Sequence, residues 1–200
     1  MIDLMSPHEK TFTDYVDHFD GTDSFDFVFF EIGGNDDVTF QNGVGTVNTK
    51  GGDDAVTVNG SAHRIDAGDG DDAVSVSGST HEAFLGGGDD YAGLGGFANT
   101  VDAGAGDDQV IMQGGNTVSL GAGDDVMEAA GWVGELDAGE GDDSVDLFGG
   151  GNAIDLGDGD DSLDAFHWVE KVEGGAGDDA IRLMAGGRAD GGGGDDTIEG

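Results

Sequence analysis

The sequence predicts an all-β fold, a right-handed parallel β-solenoid of about ten 18-residue coils behind a small N-terminal cap. The pair Asp-Asp recurs ten times between residues 36 and 196, each time 17 or 18 residues after the last. Glycines precede each pair, and apolar residues follow it at alternate positions. A two-residue alternation indicates a short strand with one buried face, and a constant period indicates stacked repeats.

Composition leaves few classes of protein open. The 200 residues include 42 Gly, 44 acidic and 6 basic residues, which gives a formal charge of −38. This charge argues against nucleic-acid binding, and the chain has neither an apolar run long enough to span a membrane nor a Cys for disulfides or thiolate metal sites. Disorder or bound cations would both fit so acidic a chain. The constant period favours bound cations.

Residues 1–31 differ from the repeats and are predicted to cap the first coil. The motif Ser-Pro-His-Glu at residues 6–9 indicates a helix N-terminus, so a short helix is expected to about Phe19. Phe25–Phe30 then predicts an aromatic strand. An alternative is that this segment ends a preceding domain. The repeats form the second region, residues 32–200.

One coil is seen clearly in Ala67–Phe84, where Ala67 is position 1. Positions 2 and 4 are Gly, positions 5 and 6 are Asp, and positions 8 and 10 are apolar. Another Gly follows near position 12, and a further apolar residue near position 16 or 17. Each coil therefore reads as turn, strand, turn, strand, with about three apolar residues for the core.

The turn segments carry a specific resemblance. The sequences AGDGDDAVS at 67–75, AGAGDDQVI at 103–111 and GGAGDDAIR at 174–182 resemble the nonapeptide Gly-Gly-x-Gly-x-Asp-x-U-x, where U is a large apolar residue. This is the repeat of the repeats-in-toxin family, the hemolysin-type calcium-binding repeats, which form a parallel β-roll. The resemblance covers about residues 32–200 in ten tandem copies.

The resemblance implies that Ca²⁺ is bound between adjacent turns by turn carbonyls and by the Asp at position 6. About nine ions are expected along one edge. The implied ligands are Asp37, Asp54, Asp72, Asp90, Asp108, Asp125, Asp143, Asp161, Asp179 and Asp196. The first two coils depart from the pattern, because Asn35 stands where position 4 requires Gly and Lys50 stands at position 2.

Electrostatics leads to the same ion. Coils stack ~4.8 Å apart, so adjacent Asp side chains repel by roughly 1 kcal/mol in water and by ~3–4 kcal/mol at an effective dielectric near 20. A divalent ion between each pair would replace this repulsion by ligation. Carboxylates and carbonyls are hard oxygen ligands, which favour Ca²⁺ over soft metals.

The turns on the other edge lack the Asp pair, so ions are expected on one edge only. Phe97, Trp132 and Trp168 fall at position 13 of alternate coils. These aromatic residues either bind a protein or glycan partner or pack locally in place of the missing calcium. His63 and His81 fall at position 15 of consecutive coils, where their rings can stack. A Zn²⁺ site there is an alternative that lacks a third ligand in the sequence, and two solvated turn histidines are expected.

The sequence thus predicts a calcium-binding structural module without catalytic activity, since no His-Glu-x-x-His, Gly-x-Ser-x-Gly or P-loop motif occurs. The family resemblance implies type I secretion without an N-terminal signal peptide, followed by folding in extracellular calcium. Two alternatives stay open. One is an adhesin or interaction module that uses the aromatic residues, and the other is the β-roll of a secreted hydrolase whose catalytic domain lies outside this chain.

Overall fold

The computed structural model describes residues 9–12, 18–21, 25–30 and 34–200, and the regular structure in this part of the chain is entirely β. The strands are β1 (Glu9–Phe12), β2 (His18–Gly21), β3 (Phe25–Phe30), β4 (Asp37–Phe40), β5 (Val44–Asn48), β6 (Ala55–Val58), β7 (Ala62–Asp69), β8 (Ala73–Val76), β9 (Thr80–Gly87), β10 (Tyr91–Ala105), β11 (Gln109–Ala122), β12 (Val126–Ala129), β13 (Val133–Glu140), β14 (Ser144–Leu147), β15 (Gly151–Asp158), β16 (Ser162–Ala165), β17 (Val169–Ala176), β18 (Ala180–Leu183), β19 (Gly187–Gly193) and β20 (Thr197–Glu199).

These strands form two parallel ladders, which confirms the predicted parallel β-roll. In the first sheet, four-residue strands at positions 7–10 pair with the same positions one coil away, as Val56 does with Val74. In the second sheet, strands that run from about position 14 to position 3 pair in the same way, as Leu136 does with Ile154. The long strands β10 and β11 belong to both sheets. The ten Asp pairs delimit nine full coils.

Each coil contributes more residues to the core than the sequence alone predicts. Five positions of each coil face inward rather than three, namely positions 8, 10, 14, 17 and 1. One coil fills them with Ala92, Leu94, Ala98, Val101 and Ala103, all of them buried. Positions 14 and 1 are not predicted as core, because their occupants vary between small residues and Leu or Val, so neither position shows a constant apolar signal.

Small and large side chains alternate at position 1 of successive coils. The buried residues there are Ala67, Leu85, Ala103, Leu120, Ala138 and Leu156. Because neighbouring coils are only ~4.8 Å apart, a large residue above a small one fills the space that a uniform column would leave empty or overfill. This column lies directly beside the Asp turns, so it forms their apolar floor.

The N-terminal segment continues both ladders. Strand β1 pairs with β3, β3 with β5, and β2 with β4, all in parallel register. The predicted aromatic strand is confirmed at Phe25–Phe30. The predicted helix is wrong over the described residues, because Glu9–Phe12 and His18–Gly21 are strands. The other residues of that prediction, 6–8 and 13–17, lie outside the described part of the chain.

Candidate metal sites on one edge of the roll

The turns that carry the Asp pairs are built on two glycines, at positions 2 and 4, that recur in nearly every coil. Gly86 and Gly88, at positions 2 and 4, have φ of +121° and +125°. A Cβ at Gly86 would lie 1.7 Å from the carbonyl oxygen of Gly68, and one at Gly88 would lie 2.4 Å from that of Gly70. The stacked turns therefore bring a column of main-chain carbonyl oxygens against the next coil, at a distance that leaves no room for a Cβ at these glycines.

The second Asp of each turn, at position 6, is buried and joins consecutive coils by a hydrogen bond. Its backbone N–H donates a hydrogen bond to Oδ1 of the position 6 Asp in the following coil, as Asp90 does to Asp108 at 2.8 Å. The same bond, at 2.7–3.2 Å, joins Asp36 to Asp54, Asp54 to Asp72, Asp72 to Asp90, Asp108 to Asp125, Asp125 to Asp143, Asp143 to Asp161, Asp161 to Asp179 and Asp179 to Asp196.

The other carboxylate oxygen of these residues is buried and unpaired. Each Oδ2 is shielded from solvent and makes no hydrogen bond to any residue in the described ranges. This holds in eight consecutive coils, at Asp54, Asp72, Asp90, Asp108, Asp125, Asp143, Asp161 and Asp179. Buried carboxylate oxygens in proteins almost always have a hydrogen-bond partner or a bound cation. A regular column of eight unpaired oxygens therefore favours the coordination of a cation.

At the C-terminal end of the roll, Oδ2 points across the turn toward position 1. In the last two coils that position is Gly. A Cβ at Gly174 would lie 2.4 Å from Oδ2 of Asp179, and one at Gly191 would lie 2.2 Å from Oδ2 of Asp196. In these two coils the carboxylate therefore folds back over its own six-residue turn.

Burial raises the pKa of these carboxyl groups, and the neighbouring carboxylates add to the effect while the bond from the backbone lowers it. The pKa of Asp72 rises from 3.8 to about 7, and that of Asp108 to about 6. The pKa reaches about 7 at Asp90, Asp125 and Asp161, reaches about 6 at Asp54 and Asp143, and is raised at Asp179. In this geometry a carboxylate without a counter-ion is unfavourable.

The first Asp of each turn, at position 5, behaves differently. These residues are exposed, and Oδ1 accepts a hydrogen bond from the backbone N–H of the position 5 Asp in the following coil, as Asp142 does from Asp160 at 2.8 Å. The direction is opposite to that of the position 6 column. The two Asp columns therefore bond each turn to the preceding and the following coil. Only the position 6 column is buried.

The register of the first coil corrects one predicted residue. Asp37 was placed at position 6, yet it is exposed and pairs with Ala55 at position 7. Asp36 is buried, and its N–H donates to Oδ1 of Asp54 at 2.7 Å, so Asp36 occupies position 6. The buried Val38 at position 8 fixes this register. Asn35 then lies at position 5, where its Oδ1 accepts a hydrogen bond from the N–H of Asp53.

Lys50, the other departure, lies at position 2 with φ of +80°. It is the one non-glycine residue with positive φ in the described ranges, so it adopts the glycine conformation at a cost in strain. At the opposite end of the roll, Asp196 is only partly buried, although its Oδ1 accepts from the N–H of Asp179 at 3.2 Å.

The donor set of the turns suits a hard cation held largely by the main chain. Among the described residues, no three His, Asp or Glu side chains converge on one point. A cation in these turns would therefore need main-chain carbonyl oxygens besides the position 6 carboxylates. Ca²⁺ accepts six to eight such oxygens in flexible geometry, whereas Mg²⁺ prefers a tight octahedron and keeps its water. The residues present fit Ca²⁺.

The opposite edge of the roll, at positions 11–13, has polar residues and glycine in its first three coils and several aromatic side chains from the fourth coil onward. Phe97, Trp132 and Trp168 are 47%, 44% and 55% exposed. The Trp168 ring also covers Gly186, whose Cβ would lie 3.5 Å from Cζ3. The rings of Phe148 and Phe166 stack with centroids 4.8 Å apart. The aromatic side chains of this edge are therefore partly packed against neighbouring residues and partly exposed to solvent.

His63 and His81 lie one coil apart beyond this edge, on the second sheet. Their ring centroids are 4.8 Å apart at an interplanar angle of 82°, so the rings meet edge to face. Both residues are exposed. The expected contact between these histidines is confirmed.

Comparison with known proteins adds no relative: the chain matches no family model, no curated protein and no solved structure. The described residues include no helix that is both long and apolar enough to cross a membrane. The resemblance to the calcium-binding repeats therefore rests on the motif residues themselves.

Proposed function

We propose that this chain binds calcium ions along its Asp edge and folds in response to them. The observation that carries the proposal is the column of eight buried, unpaired Oδ2 atoms from Asp54 to Asp179. A divalent ion beside each carboxylate would supply the missing partner and would cancel the repulsion between stacked coils. Nine ions, one for each gap between ten turns, would reduce the formal charge of −38 by 18.

Coupling of folding to calcium follows from the same geometry. Without ions, each new coil buries another carboxylate at an energetic cost, and the 42 glycines raise the conformational entropy lost on folding. With ions, binding free energy becomes folding free energy. Each ion would contact two coils, so occupation of one gap favours occupation of the next, as in other repeat proteins.

This dependence suits a protein that is exported before it folds. Extracellular calcium modules bind with Kd of about 10⁻⁴–10⁻³ M, so they stay empty at cytosolic calcium levels and fill outside the cell. We therefore propose a structural module of a protein secreted by the type I route, with no catalytic group of its own. The family resemblance and the acidic composition support this route.

The test is a calcium titration at pH 7.5 followed by far-UV circular dichroism. We expect a disordered spectrum in EDTA, a β-sheet spectrum in calcium and a Hill coefficient well above one. Magnesium should not replace calcium. A β-sheet spectrum that persists unchanged in EDTA would refute the proposal.

A matched pair of variants locates the sites. Asp143→Asn keeps the Oδ1 acceptor for the N–H of Asp125 but removes the charge of the buried carboxylate. Asp142→Asn makes the same change at the exposed neighbour. We expect Asp143→Asn to raise the calcium concentration at half-folding several-fold, and Asp142→Asn to raise it much less. Equal effects would mean that the charge of the edge matters but the position 6 sites do not.

A second function is favoured by the exposed aromatic residues of the opposite edge. Phe97, Trp132 and Trp168 could hold a protein or glycan partner there, and exposed aromatic residues are typical of binding surfaces. This would make the module part of an adhesin. A role as the β-roll of a secreted hydrolase is the remaining alternative, and the sequence that adjoins this chain in the whole protein would distinguish the two.

A further inference from the structure

The outer face of the first sheet has two halves of different character. Positions 9 and 11 face solvent there. In coils 2–5 these positions are Thr57, Asn59, Ser75, Ser77, Gly93, Gly95, Ile111 and Gln113, all uncharged. At position 9 of the following coils stand Glu128, Asp146, Asp164, Arg182 and Glu199. One end of this face is thus neutral, although the chain carries a formal charge of −38.

The neutral half contains a notch of about 340 Å³. Its floor lies at Gly93 and Gly95, two outward positions that carry no side chain. Ser75 and Ser77 border the notch from the preceding coil, and Ile111 borders it from the following one. This volume lies at the lower end of the range of about 300–1,000 Å³ that is typical of small-molecule sites.

The side chain of Tyr91 extends over the floor of the notch at Gly93. The three atoms nearest to a Cβ built at Gly93 all belong to the Tyr91 side chain, with Oη at 3.0 Å, Cε1 at 3.3 Å and Cζ at 3.4 Å. The ring therefore runs along its own strand and covers Gly93, while Tyr91 remains 37% exposed. The aromatic ring is thus held beside Gly93, and its exposed surface is available to a ligand.

We propose that this notch, the Tyr91 site, binds a neutral oligosaccharide. The C–H groups of a pyranose ring pack on an aromatic face, and sugar hydroxyls pair with side-chain hydroxyls and amides such as those of Ser75, Asn59 and Gln113. A peptide strand is not favoured, because the main chain at this face is already paired within the sheet.

Charge determines which saccharides fit. An anionic polymer would be repelled by the net charge of the chain, and a cation would be drawn to the Asp turns and the acidic half of the sheet instead. A neutral glycan meets neither effect. This site is independent of calcium in its chemistry, and it is separate from the aromatic residues of the opposite edge.

The test measures binding of cellohexaose, maltohexaose and N-acetylchitohexaose to the whole chain in calcium-containing buffer, by saturation-transfer NMR and calorimetry. Oligogalacturonate serves as the anionic control. At least one neutral hexasaccharide should bind and the anionic one should not. Binding of none of the three, or equal binding of oligogalacturonate, would overturn the proposal.

Three variants test the site itself, each checked by circular dichroism for an unchanged β-sheet spectrum. Tyr91→Ala should weaken binding by about tenfold or more, whereas Tyr91→Phe should keep most of it. Gly93→Val should also weaken binding, because its side chain displaces the ring without a main-chain clash. Trp168→Ala should leave binding unchanged. Full binding by Tyr91→Ala, or its loss in Trp168→Ala, would overturn the assignment.

Discussion

The two edges of the roll reverse the chain direction with different residues. Both must return the chain from one sheet to the other in every coil. On the Asp edge the same glycines and aspartates recur, and carboxylates bond to backbone N–H groups of the adjacent coil. On the opposite edge the side chains vary, and main-chain bonds such as that from the N–H of Gly115 to the carbonyl of Trp132 join the coils. The opposite edge also repeats a Gly near position 12, where a Cβ at Gly60 or Gly149 would lie 2.5 or 2.1 Å from backbone atoms of the preceding coil. The two edges therefore differ in their side chains and not in their need for glycine.

The glycine geometry of the Asp edge should give the largest effect. Gly88→Ala places a Cβ 2.4 Å from the carbonyl oxygen of Gly70 at a φ of +125°, so we expect a loss of ~3 kcal/mol of stability. The neighbouring Gly87→Ala is the control, since its Cβ has no atom closer than 3.9 Å. Calcium-dependent melting measures both. Similar losses would show that the turns are not constrained as described.

Mild acid should weaken the dependence of folding on calcium. The raised pKa values of Asp72 and Asp108, about 7 and about 6, mean that the metal-free roll binds protons that the unfolded chain releases above a pKa of 3.8. Stability of the metal-free roll is therefore greatest below 3.8 and falls as pH rises through 6 and 7.

We expect the β-sheet spectrum without calcium to strengthen from pH 7.5 to 5. The increase in melting temperature that calcium produces should shrink over the same range, because protons compete for the carboxylates. Circular dichroism at several pH values with and without calcium measures both trends. An increase in melting temperature with calcium that does not change with pH would contradict the burial of the position 6 carboxyl groups.

The opposite edge should be the more tolerant one. Trp168→Ala removes a ring that is 55% exposed and covers Gly186, so we expect a loss below about 1 kcal/mol and no shift of the calcium midpoint. Asn116→Ala on the same side should be nearly neutral. A shift of the midpoint in Trp168→Ala would mean that the two edges are coupled, and the comparison would then have to be revised.

The repeat period was sufficient to predict the parallel roll, because stacking requires each coil to match its neighbour. The position of Asp36 was missed because an Asp pair looks the same in either register, whereas the buried Val38 distinguishes the two. The helix predicted after Ser6 was wrong at Glu9–Phe12 and His18–Gly21, since a capping motif is worth only ~1 kcal/mol and an adjacent strand of the roll offers a full set of backbone partners. The burial of position 1 depends on stacking, which a single coil does not reveal.

The location of the ions tests the central claim most directly. Crystals of the chain grown with calcium, or soaked with a lanthanide, should give a row of anomalous peaks between successive Asp turns, next to Oδ2 of residues such as Asp90 and Asp108. The opposite edge should give none. Peaks confined to the exposed carboxylates of the outer faces, such as Asp137 and Asp155, with none in the Asp turns, would contradict the account.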